Sequence, residues 1–199
     1  MRLISLLAAS LVPLALVSGP SKSVVPAEYV PTYTDDGRLI APTDYRQWIY
    51  LSSGLDMSYS PRAATASGDT MSMFDNAFVT PAAWRAFQQT GTWPDKTVLL
   101  LEVRGAESKG SINKAGRFQG GPMGLEVHLK DEAQGGWAFY EFDENPQPAK
   151  MVPRTEGCYT CHQAHGAVDT TFVQFYPTLL PLAKQKGTLS AVYLKEEGK

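Results

Sequence analysis

Two cysteines and a histidine share one short run, Cys158-Tyr159-Thr160-Cys161-His162. C-x-x-C-H is the spacing at which two thiols can bond the vinyl groups of a porphyrin while the neighbouring imidazole ligates its iron. The chain has no other cysteine, and His162 is one of only three histidines, so its entire thiol content lies in this segment. Other chemistries use such a pair. A redox dithiol normally opens a helix in a βαβ unit, whereas residues 150–157, just ahead of Cys158, read as loop. A structural zinc site would have to draw on Cys158, Cys161 and His165, with no second knuckle to complete it. A disulfide closing so small a ring would stabilise little. The motif favours one covalently bound haem c with His162 as the iron's axial ligand.

The place of the motif bears on the other face of that iron. An electron-carrying cytochrome c usually opens a small helical domain with C-x-x-C-H and supplies a methionine downstream as sixth ligand. Here the motif comes late, and the last methionine, Met151, precedes it. An open, five-coordinate iron is expected. Met57, Met71, Met73, Met123 and His128 are the upstream residues with the chemistry to ligate, and each reads more simply as a packing or surface residue.

Composition sets the outer bounds. A chain of 199 residues fits one domain with a core of its own. A formal charge of -2 and a pI near 5.9 give no basic footprint, so nucleic acid is not an expected partner. Met1-Arg2 followed by the apolar run Leu3 to Val17 reads as a secretory signal over residues 1–19, with Ser18-Gly19 near the cut and Pro20 obscuring the site. An uncleaved anchor is the lesser reading, because the run is short for a membrane span. Export agrees with haem c, which is attached outside the bacterial cytoplasm, and both point to the periplasm.

Around the motif, residues 20–42 read as an extended lead-in, 43–186 as the haem domain and 187–199 as a tail. Thr43 is placed to cap a short helix carrying Tyr45, Trp48 and Ile49, and residues 58–70 read as a loop. Thr80 at N-cap, Pro81 at N1 and Gly91 beyond the end predict a helix over 81–90 with Trp84 and Phe87 on its buried face. Strands are expected over 71–79, 97–104, 123–130 and 137–142, and without intervening helices among the last three they suggest an antiparallel meander. Asp169 is placed to cap a helical segment bearing Phe172, Val173, Phe175 and Tyr176, interrupted by Pro177 and Pro181.

Several segments, taken in order, resemble the cytochrome P-460 family, which includes the cytochromes c′-beta: Tyr45-Arg46-Gln47-Trp48, Phe78-Val79-Thr80-Pro81, Thr90-Gly91-Thr92-Trp93-Pro94-Asp95, Gly124-Leu125-Glu126, Trp137-Ala138-Phe139-Tyr140, the C-x-x-C-H, and Phe175-Tyr176-Pro177. The resemblance implies an α+β fold, mainly an antiparallel β-sheet with flanking helices, ending in a C-terminal haem-attachment segment. It also implies one haem c with a vacant distal face, and often a homodimer. Members divide by distal chemistry. The P-460 enzymes oxidise hydroxylamine, some coupling it with nitric oxide, and carry an extra lysine–haem bond. The c′-beta proteins lack that bond and bind small gases behind an apolar cap.

The resemblance places the linking lysine at Leu101, which has no nucleophilic nitrogen. Lys109 and Lys114 are the nearby lysines and read as solvated. Alternation puts Leu99, Leu101 and Val103 on one face, a dry wall suited to a neutral diatomic ligand. In the next strand Glu126, His128 and Lys130 form a polar face that by default meets water. The resemblance instead makes Glu126 the pocket carboxylate that relays protons. His128 would share that face as a rim residue or hydrogen-bond donor. Asp75 falls where some members carry a pocket arginine, and His165 reads as a surface residue. The expectation is a periplasmic mono-haem cytochrome binding nitric oxide or related nitrogen species and served by a redox partner protein. A hydroxylamine-oxidising enzyme and a plain electron-transfer cytochrome are the alternatives.

Overall fold

A computed structural model describes residues 28–57 and 72–198. The apolar run of residues 3–17, the cut near residue 19, the loop at 58–70 and Met71 lie outside the described residues. Five strands, β1 (Ile49–Leu55), β2 (Met73–Val79), β3 (Val98–Glu107), β4 (Phe118–Asp131) and β5 (Gly136–Asp143), form one sheet in the order β1-β2-β3-β4-β5. Every neighbouring pair is antiparallel, which extends to β1 and β2 the meander expected of β3, β4 and β5. Among the described residues four helices accompany them: α1 (Pro81–Thr90), α2 (Gly157–His165), α3 (Leu180–Lys186) and α4 (Ala191–Glu196). Among the described residues no helix is long and apolar enough to cross a membrane.

The strand register sorts side chains into two sheets of contacts. On one face Val79, Leu99, His128 and Phe139 lie in one row, Ala77, Leu101, Glu126 and Glu141 in the next, and Asp75, Val103, Gly124 and Asp143 in a third. This face packs against Ala83, Phe87, Trp93, Val168, Val173, Leu179, Ala183 and Tyr193, so the helices and the C-terminal segment cover it. The other face carries Val98, Leu100, Leu125, Val127, Leu129, Tyr140 and Phe142, and is covered by Leu39 and Trp48 with Tyr29, Ala41 and Tyr45 beside them. Both faces are dry over the middle of β3, which explains its unbroken run Val98-Leu99-Leu100-Leu101. The segment read as a lead-in thus contributes core: Leu39 is buried and exchanges backbone hydrogen bonds with Ala149.

Helix α1 forms where its punctuation puts it. Gly91 adopts φ 76° and its N–H closes the helix on the Phe87 carbonyl. Phe87 is fully buried against Trp93, ring centroids 4.3 Å apart, while Trp84 is half-buried. Two expected helices take other forms. Thr43 caps nothing: a single 3-10 turn, Tyr45–Gln47, follows Asp44, because Trp48 folds onto Tyr29 and Ile49 already pairs with Val79 in β1. Asp169 caps no helix either, since Lys130 binds its carboxylate. Only a 3-10 turn, Val173–Phe175, forms there. In the segment read as a tail, Ser190 caps α4 by accepting from the Tyr193 N–H, and Tyr193 is buried.

Glu102 is a deeply buried carboxylate on the far face, 1% exposed. Burial pushes its pKa up, but the Tyr45 hydroxyl at 2.8 Å, Arg104 at 2.9 Å and Arg46 together outweigh that and hold it below the usual carboxylate range. A carboxyl depressed on folding stabilises the native state above the unfolded-state pKa and loses that contribution as pH falls through the folded one. At neutral pH Glu102→Gln should therefore lower the unfolding free energy by about 2 kcal/mol. Urea titrations should show the gap from the parent narrowing as the solution is acidified; a gap that widens would contradict the assignment.

Candidate functional site

Helix α2 carries Cys158, Cys161 and His162 at i, i+3 and i+4, so one helix face presents both thiols and the imidazole. That face closes a cavity of about 330 Å³ against the sheet. Ala77, Leu99 and Leu101 line the sheet side, with Asp75, Glu126 and His128 as its ionisable groups. Phe172, Phe175 and Tyr176 enclose it from the segment after α2. Both thiols are free. The helix is seated by Tyr159, whose ring stacks on Phe139 with 4.3 Å between centroids and 13° between planes. Its hydroxyl accepts from the Phe139 N–H and donates to the Val152 carbonyl, both at 3.1 Å.

His162 lies among rings, 4.2 Å from Phe172, 4.8 Å from Phe139 and 4.8 Å from His128, which it meets edge-on. Its Nδ1 is 2.8 Å from the Thr170 carbonyl, so Nδ1 carries the proton and Nε2 keeps a free lone pair. Burial holds its pKa below the usual histidine range, against the opposing pull of the Thr170 bond, and so favours the neutral ring. The carbonyl sits in a tight turn in which Asp169 (φ 49°) and Thr170 (φ 56°) are both left-handed. Two such non-glycine residues in succession are costly and persist only where neighbours over-determine them.

A model of the family described as Cytochrome P460 matches residues 42–173, more than half of the chain. The chain belongs to the cytochrome P460 family. No curated protein matches it at a significant level. Membership makes this chain a haem-binding c-type cytochrome, and the cavity fits that group on its own chemistry. It offers two free thiols one turn apart, an imidazole whose Nδ1 is already engaged, and walls of aliphatic and aromatic carbon.

In this cytochrome P460-family chain the polar face of β4 meets water only in part, not wholly as alternation suggested; it turns toward α2 and the segment after it. The side chains of His128 and Lys130 are 17% and 13% exposed, and that of Glu126, at the more open end of the cavity, is 44% exposed. Burial, then the negative charges of Glu141 and Asp75, push the Glu126 carboxyl above its ordinary range. Burial and Asp56 do the same to Asp75. Burial, with His162 adding to it, drives His128 down to about 3, so its ring is neutral. Burial also raises the Cys158 thiol.

Leu101 faces the cavity between Ala77 and Glu126. Lys109 and Lys114 are exposed in the β3–β4 connection and outside the cavity lining. His165 turns outward to Glu196 at 3.1 Å, away from the zinc trio its spacing allowed. Of the upstream groups able to ligate, Met57 and His128 line the cavity. The Thr170 carbonyl, Tyr159, Phe139 and Lys130 were not singled out as site residues by sequence. Only the cavity-facing parity of Lys130 with Glu126 could have pointed to one of them.

Tyr159→Phe removes both hydroxyl hydrogen bonds that seat α2 and leaves the stack. It should cost about 1–2 kcal/mol of stability, read as a lower urea midpoint at unchanged slope. An unaltered midpoint would mean that α2 is held by packing alone.

Proposed function

We propose that this protein is a periplasmic cytochrome with one haem c, bonded through Cys158 and Cys161 and ligated by His162, that binds nitric oxide or related small nitrogen species at a five-coordinate iron. The observation that carries the reading is the position of Leu101. It occupies the sheet wall of the cavity at the place the family resemblance gives to a haem-linking lysine, beside Ala77 and Leu99. A wall of this kind disfavours charged ligands and tolerates a neutral diatomic one. Haem supplies the iron that binds the ligand and exchanges an electron with a partner. The chain's own residues fix the His162 tautomer, keep the wall dry and hold Glu126 at the cavity's open end. The electronic spectrum of the ferrous protein should be high-spin and should change on adding carbon monoxide. A low-spin spectrum indifferent to carbon monoxide would overturn the reading and make Met57 or His128 the sixth ligand. In Cys161→Ala, covalent haem retention should fall sharply under denaturing electrophoresis.

A second reading, a hydroxylamine-oxidising enzyme passing electrons to a redox partner protein, is favoured by Glu126. A carboxyl with a raised pKa facing the cavity is suited to take protons from a substrate during oxidation. Under this reading Glu126→Gln should lower hydroxylamine-dependent reduction of an electron acceptor about 100-fold, with the parent's activity falling as pH drops below the raised Glu126 pKa. Equal turnover in the two proteins would remove Glu126 as the base. The family resemblance also suggests a homodimer.

A further inference from the structure

Lys130 is buried more deeply than a solvated lysine requires, and its position at the end of β4 gives it two partners. Its Nζ donates to the Trp93 carbonyl at 2.8 Å and pairs with Asp169 Oδ2 at 2.6 Å, with the exposed Glu132 carboxylate farther off at 3.7 Å. Asp169 is the first of the two left-handed residues in the turn, and the second, Thr170, offers the carbonyl that His162 Nδ1 meets. The same turn is fixed from two other directions. The Trp93 indole N–H donates to Thr171 Oγ1 at 2.8 Å, and that hydroxyl donates to the Val168 carbonyl at 2.7 Å. Behind the turn, Gly166 leaves room that no side chain could share, for a Cβ there would lie 2.5 Å from the Thr170 carbonyl carbon.

We propose that Lys130 is a positioning residue for the iron's histidine: its ion pair with Asp169 holds the left-handed turn so that the Thr170 carbonyl stays on His162 Nδ1 and sets the basicity of the imidazole. The proposal rests on the reading that His162 ligates haem iron. An imidazole whose N–H is held by a good acceptor is a stronger electron donor to a metal, and such outer partners fix its tautomer and orientation. A stronger donor favours ferric over ferrous iron and tightens the bond to histidine. Removing Lys130 frees the turn to relax toward ordinary backbone angles and carries the carbonyl off Nδ1.

The test uses the haem-loaded protein, comparing Lys130→Met, Lys130→Arg, Asp169→Asn and, as an exposed control, Lys109→Met. The readouts are the reduction potential and the iron–histidine stretch in the resonance Raman spectrum of the ferrous state. Lys130→Met and Asp169→Asn should both raise the potential and lower the stretching frequency. Lys130→Arg should return both toward the parent, and Lys109→Met should leave them unchanged. If Lys130→Met does not retain haem, Asp169→Asn decides by the same two readouts. A loss of thermal stability with potential and stretch both unmoved would overturn the proposal and leave the ion pair a purely structural one. Failure of the underlying reading looks different: the parent protein itself would then show no iron–histidine stretch.

Discussion

Everything distinctive about this molecule depends on the register between β3 and β4. With Leu101 opposite Glu126 and Leu99 opposite His128, the face toward α2 receives a leucine wall, a carboxyl and an imidazole. A slip of one residue would reverse the parity of a strand and put Leu100, Glu102 or Val127 in their place. The register is specified because both faces are buried and differ in chemistry. One has to accept Trp48, Leu39 and the Arg46–Glu102–Arg104 cluster, the other Phe87, Trp93 and the α2 segment.

Within that frame two glutamates show how position alone assigns a role. Glu102 and Glu126 stand on adjacent strands, and burial raises the pKa of each. Glu102 has a tyrosine and two arginines within reach and ends as a depressed, structural carboxylate. Glu126 has Glu141 and Asp75 for company, and their charges push it further up. Sequence composition treats the pair alike; only the hydrogen-bond and charge neighbours separate a fastening from a group able to exchange protons.

The parts of the structure legible in the sequence were those governed by local rules. Helix α1 carries its own start and stop in Thr80, Pro81 and Gly91, and the alternation and turn spacing of β3 to β5 suggested a meander. Strand β1 was not anticipated, because Ser52-Ser53-Gly54 has weak strand character and is held by pairing with β2. The polar parity of β4 was visible, yet where it pointed was not, since the cover over it comes from residues distant in the chain, Trp93 before it and α2 after it. Leu101 and Glu126 were found through the family resemblance and the motif through its spacing. The turn at Asp169 and Thr170 was not read from the sequence, because the groups that contact it, Lys130 and Trp93, come from far earlier in the chain.

The meander has a consequence for the order in which the molecule is made. Each strand pairs with its neighbour in sequence, and the last ladder is complete at Asp143, before any residue of α2 is needed. Contacts so close along the chain carry a low loop-closure cost and can form early. Residues 157–196, by contrast, bury their apolar side chains partly against one another and partly against the sheet. The wall with Leu101 and Glu126 is in this sense a platform, onto which the strip holding Cys158, Cys161 and His162 folds, with Tyr193 buried behind it.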